Sequence, residues 1–93
     1  MRIDKYLKVS RILKRRETSK ELALAGRLMI NDRVAKAASE VKIGDTITIV
    51  FGHRTLKVRV LDIKEHVRKD ESYSLYEVIE EIKEEKPQDN FTI

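Results

Sequence analysis

The sequence predicts an α+β domain in which two short N-terminal helices pack on a small, mostly antiparallel sheet. Three observations carry this. Residues 3–14 place apolar side chains at helical spacing. Thr18 and Glu21 stand at capping-box spacing and Gly26 follows, which delimits a second short helix. From Thr46 to Val60, apolar and polar residues alternate on both sides of Gly52-His53, as in a β-hairpin with one buried face.

In the first helix, about 100° per residue puts Ile3, Tyr6, Leu7, Val9 and Leu13 on one side and Lys5, Lys8, Arg11 and Arg15 on the other. Ile12 lies at the edge between them. Asp4 is the expected cap, accepting from a free backbone N–H. Lys14-Arg15-Arg16 forms a basic corner before the second helix, where Leu22, Ala23 and Ala25 offer small apolar surface for close packing. Leu28-Met29-Ile30 reads as a strand that turns at Asn31-Asp32 and returns through Arg33-Val34-Ala35, since Asn and Asp tolerate positive φ. Residues 37–42 read as an irregular link. In the hairpin, Ile47, Ile49 and Phe51 alternate with Thr46, Thr48 and Val50, and Leu56, Val58 and Val60 with Thr55, Lys57 and Arg59. Residues 64–74 are polar and read as a loop. Residues 75–82 fit both a helical stripe and a strand; the strand is preferred because the hairpin edge needs cover. The expected organisation is a binding domain over 1–64, a loop and closing strand over 65–83, and a flexible acidic tail over 84–93.

Charge is distributed unevenly. The net formal charge is +4, but residues 1–60 hold 15 Lys/Arg against 6 Asp/Glu, whereas residues 61–93 hold 5 against 10. The basic segment is the electrostatic footprint expected of a nucleic-acid binder, and by charge alone it fits a solubilising surface equally well. The absence of cysteine excludes a disulfide scaffold, a thiolate metal site and a cysteine nucleophile. Glycines 26, 44 and 52 are too dispersed for a phosphate loop. His53 and His66 read as surface residues, and the pairs Glu80-Glu81 and Glu84-Glu85 as solvated carboxylates. No metal, cofactor or catalysis is expected. The N-terminus lacks the apolar stretch of a signal peptide and no run is long enough to span a bilayer, so a soluble cytoplasmic protein without a membrane partner is the expectation.

The constellation that remains is Arg2, Lys5, Lys8, Arg11, Lys14, Arg15, Arg16, Lys20 and Arg27, with Asp4 among them. Arginine forks match phosphate oxygens. A single cation of this kind is most often a solvated charge. So many on one small unit repel one another unless a polyanion is present. Tyr6 and Phe51 read as core rather than as a base-stacking platform, so contacts should go to backbone and shape.

Arg2-Ile3-Asp4-Lys5-Tyr6-Leu7, then Ser10-Arg11, Arg15-Arg16, Gly26 and Ile30-Asn31 resemble the S-four RNA-binding domain, the alpha-L motif named after a small-subunit ribosomal protein. The resemblance covers about residues 2–64 and departs at Asp32, where that family usually has Gly. The run Lys8 to Arg16 on a stand-alone chain is most similar to a ribosome-rescue branch related to the heat-shock protein fifteen family, without that relative's long basic extension. The resemblance implies a non-catalytic factor on the large ribosomal subunit, contacting ribosomal RNA and peptidyl-tRNA. It would hold the tRNA in the P-site while an RqcH-type factor tails the nascent chain. Arg2, Lys5, Arg11, Arg15 and Arg16 match the family's RNA-facing positions, Asn31 marks the adjoining turn, and a monomer in solution is expected. Two other readings stay open: a module that targets an RNA-modifying enzyme in trans, and a DNA-binding regulator. The second is disfavoured because the cations sit on the first helix and corner, not on a recognition helix.

Overall fold

The computed structural model describes residues 1–83; the tail read at 84–93, with Phe91 and Ile93, lies outside the described residues. Helix α1 (Ile3–Val9) and helix α2 (Arg16–Leu24) precede five strands: β1 (Leu28–Ile30), β2 (Arg33–Val34), β3 (Thr46–Phe51), β4 (Arg54–Val60) and β5 (Tyr76–Lys83). The sheet order is β2-β1-β3-β4-β5, and every neighbouring pair is antiparallel. The α+β class is as read, and residues 76–83 are the closing strand.

Helix α1 is shorter than the periodicity predicts. It stops at Val9 because Arg11 turns left-handed at φ 63, and the amides of Arg11 and Leu13 bond back to the carbonyls of Lys8 and Leu7. Leu13 still enters the core, but from the corner rather than from a helix. The start of α1 also differs from expectation. Arg2 holds the N-cap position, and the free amides of Ile3 and Asp4 donate to the carbonyls of Ser39 at 2.8 Å and Ala37 at 3.2 Å. The link at 37–42 therefore caps the helix from across the fold, and Asp4 is not needed as a cap. The backbones of Arg2 and Glu40 also form an isolated antiparallel β-bridge, and the Val41 amide donates to the Met1 carbonyl.

Helix α2 begins at Arg16, ahead of the capping-box pair, with Glu17 in its first turn, where a carboxylate favours the dipole. Gly26 ends it as the sequence predicts. At φ 72 it lets the amides of Gly26 and Arg27 reach the carbonyls of Ala23 and Leu22. Leu22 and Ala23 pack against the core as expected, the fully buried residue of α2 is Ser19, and Ala25 is exposed instead of packed.

The β1–β2 turn takes positive φ at both Asn31 (52°) and Asp32 (66°), the primed geometry that matches strand twist. Asp thus tolerates the position usually held by Gly. Between β3 and β4, Ile47 stands opposite Val58 and Ile49 opposite Leu56 on the core face. β5 pairs with β4 along its length, with a bulge that leaves Ile79 unmatched between Lys57↔Glu80 and Val58↔Val78. The core gathers Ile3, Tyr6 and Leu7 of α1 against Leu28, Ile47, Ile49, Val58 and Val60, closed by Leu13, Val41 and Leu75.

The polar stretch read as a loop is only partly one. Lys69–Leu75 forms a 3-10 helix. Ser72 and Ser74 hydroxyls donate to the carbonyls of Lys69 (2.8 Å) and Glu71 (2.7 Å), three residues back, which closes its tight turns. Leu75 is fully buried at its end.

Candidate nucleic-acid interface

The site starts at Asp4. This carboxylate is 5% exposed and lies in the first turn of α1. Arg2 Nη2 donates to one of its oxygens at 2.9 Å, and Arg16 Nη2 to the other at 3.1 Å. Arg2 precedes α1 and Arg16 opens α2, so one buried anion joins the beginnings of both helices. Two guanidiniums held side by side would repel; the carboxylate between them removes that cost. Each arginine side chain stays about half exposed, at 52% and 45%. A guanidinium has five N–H donors, so most of each fork still faces outward.

Beyond this pair, Lys8, Arg11, Lys14, Arg15, Lys20 and Arg27 are exposed and make no ion pair among the described residues. Lys5, Lys8, Arg11, Lys14 and Arg16 line one open groove of about 840 Å³. Arg2, Arg15, Lys20, Arg27 and Asn31 do not line it. Asn31 sits at the β1–β2 turn with its side-chain amide engaged inside the protein. Its Oδ1 accepts from the Thr46 amide at 3.0 Å and its Nδ2 donates to Asp45 at 3.1 Å, tying the turn to the start of β3. A smaller depression beside it is lined by Arg33 and Ser39 as well.

The far wall of the groove comes from residues that sequence reasoning placed outside the binding region: Glu65, His66, Val67, Lys69, Ser72, Tyr73 and Tyr76. Glu65 is the one carboxylate in the lining and it pairs with Lys5, which holds its acid group below the usual carboxylate range. Tyr73 is 72% exposed, an unusual state for an aromatic ring in a polar segment. That tyrosine within a charged stretch was the available signal in the sequence.

Tyr6 fixes this wall to α1. It is fully buried, and its hydroxyl donates to the Leu75 carbonyl at 2.6 Å. The amides of Leu61 (2.9 Å) and Asp62 (3.2 Å) converge on the same oxygen. Burial pushes the Tyr6 phenol well above its ordinary pKa, and the charges of Tyr76 and Asp62 add to the effect. The groove is thus set by a side chain in the middle of α1 and a carbonyl at the end of the 3-10 helix. Among the described residues no cluster of three His, Cys, Asp or Glu side chains could hold a metal, and no helix is long and apolar enough to cross a membrane.

Known proteins are similar to this chain in sequence and fold. The S4 domain family model matches residues 1–47. An RQC P-site tRNA stabilizing factor of Streptococcus pneumoniae is 45% identical over 91% of this chain and 97% of its own length. The factor of the same name from Halalkalibacterium halodurans is 49% identical over 87% of this chain and 92% of its own. Heat Shock Protein 15 of Vibrio cholerae superposes with a TM-score of 0.76 at 29% identity, over 84% of this chain and 80% of that one. With two helices on an antiparallel sheet, a basic α1–corner–α2 face and similarity along nearly its whole length, the chain belongs to the RQC P-site tRNA stabilizing factor (RqcP) family, with an S4 domain in its N-terminal half.

Proposed function

We propose that the protein is a non-catalytic factor that binds structured RNA on the large ribosomal subunit, ribosomal RNA and peptidyl-tRNA together. It steadies the P-site tRNA while an RqcH-type partner extends the stalled nascent chain. One observation carries the reading: Asp4 holds both Arg2 and Arg16, beside cations on the α1–corner–α2 face that make no ion pair among the described residues. Fixed forks recognise the geometry of phosphate groups, and the flexible lysines and Arg11 around them add attraction that does not depend on sequence. The relatives' name, a stabilizing factor for P-site tRNA, supports the same assignment. Work in the cytoplasm as a monomer accords with it.

The test has two parts. Tagged protein run through a sucrose gradient should travel with large subunits that carry peptidyl-tRNA. With purified RNA, log K should fall with log[salt] by about 0.7–0.9 per phosphate contacted. A slope near zero, or equal preference for duplex DNA at matched salt, would overturn the proposal.

A further inference from the structure

The groove between α1 and the 3-10 helix joins two features that the phosphate-binding face alone does not explain. One wall carries the cations Lys8, Arg11 and Lys14. The other carries Lys69 and two tyrosines whose ring centroids lie 6.5 Å apart, tilted by 47°. That tilt prevents a planar group from being sandwiched between the rings. Tyr76 is half-buried and lines the groove with less of its ring open to a ligand. Tyr73 is 72% exposed, so one face of its ring is available. An exposed aromatic flanked by cations fits a ligand that presents a flat π-face and negative charge within one repeat unit. An unpaired nucleotide has both. A paired duplex hides its base faces, and an acidic peptide has charge without the planar ring.

Resting on the RNA-binding reading above, we propose that this groove takes an unpaired nucleotide of the bound RNA, its base stacked on Tyr73 and its flanking phosphates on Lys8, Arg11, Lys14 and Lys69. Glu65 turns aside onto Lys5, which keeps the lining cationic. The ring is presented because the Tyr6–Leu75 hydrogen bond locks the 3-10 helix against α1. Base recognition therefore belongs to the segment after the S4 domain, and phosphate recognition mainly to the domain itself, with Lys69 added from the later segment.

The experiment compares the full chain with Tyr73→Ala and Tyr73→Phe on two labelled RNAs, a hairpin with an unpaired loop and a blunt duplex of equal length. Tyr73 is exposed, so the variants should melt with the wild type. Tyr73→Ala should weaken hairpin binding about five- to a hundred-fold, with duplex affinity and the salt slope unchanged. Tyr73→Phe keeps the ring face and should bind as the wild type does. Equal loss on both RNAs, or no loss on the hairpin, overturns the stacking role while leaving RNA binding intact. Displacement of the hairpin by poly-glutamate at equal charge concentration would assign the groove to an acidic peptide instead. Failure of the wild type to bind either RNA would overturn the parent reading, and this one with it.

Discussion

On the β4–β5 side of the sheet, cations lie close to carboxylates: Arg54 pairs with Glu81 and Lys57 with Asp32, while Arg59 lies across from Glu77 and Lys57 from Glu80 in the strand register. On the α1–corner–α2 side, a single buried carboxylate serves two arginines, and the exposed cations around them have no described anion. Both regions are rich in Lys and Arg, yet they do different things with them. The Arg54–Glu81 pair ties down an edge strand whose Val78, Ile79 and Ile82 are about half exposed. On the proposed RNA-binding reading, the unmatched charges repel one another in the free protein and that repulsion would be relieved by phosphate. The two regions differ in how far the fold supplies counter-ions for their cations.

Arg16 tests that difference most strongly, since it is both ion-paired and about half exposed. Arg16→Ala should weaken association with the ribosomal particle by about 1.5–3 kcal/mol, because a charge-assisted fork contact is lost. Its stability cost should stay below about 1 kcal/mol, since the arginine is about half exposed and Arg2 still holds Asp4. Denaturant titration beside a binding isotherm separates the two effects. A stability loss as large as the binding loss would place Arg16 among the structural cations.

Asp4→Ala comes next. It removes the acceptor of two charged hydrogen bonds, though both arginines can regain water. A loss of about 1.5 kcal/mol is expected. Asp4→Asn keeps the shape and one acceptor and should fall between Ala and wild type. If Asp4→Ala were as stable as wild type, the carboxylate would not be what joins the helix starts.

Tyr6→Phe should cost about 1 kcal/mol, because the Leu75 carbonyl keeps its two amide donors. This site also sets a pH dependence. The Tyr6 phenol has a raised pKa in the folded state. Its contribution is therefore fully present below the ordinary phenol pKa of about 10 and is lost as pH rises beyond that value. Thermal melts from neutral to alkaline pH should fall more steeply for wild type than for Tyr6→Phe. Parallel slopes would contradict the assignment.

The smallest effect belongs to the matched side. Arg54 pairs with Glu81 and lies 5.3 Å from the Phe51 ring centroid, in a largely open setting. Arg54→Ala should cost less than about 1 kcal/mol and leave RNA affinity unchanged. A drop in affinity would extend the binding face across the sheet.

The sequence by itself determined what depends on neighbours along the chain. Alternation about Gly52-His53 defined the β3–β4 hairpin, Gly26 defined the end of α2, and the cations of residues 2–20 marked the α1–corner–α2 face. These follow from local φ preferences and from the spacing of apolar side chains, which act over a few residues. Only the tertiary structure decided the rest. Asp4 is a clamp because carbonyls at 37 and 39, far along the chain, already cap α1 and leave its carboxylate for Arg2 and Arg16. Residues 69–75 become a wall of the groove because Leu75 is buried and its carbonyl receives Tyr6. A hydrogen bond between positions 69 residues apart leaves no periodicity in the sequence, since its geometry exists only once helix and sheet have packed.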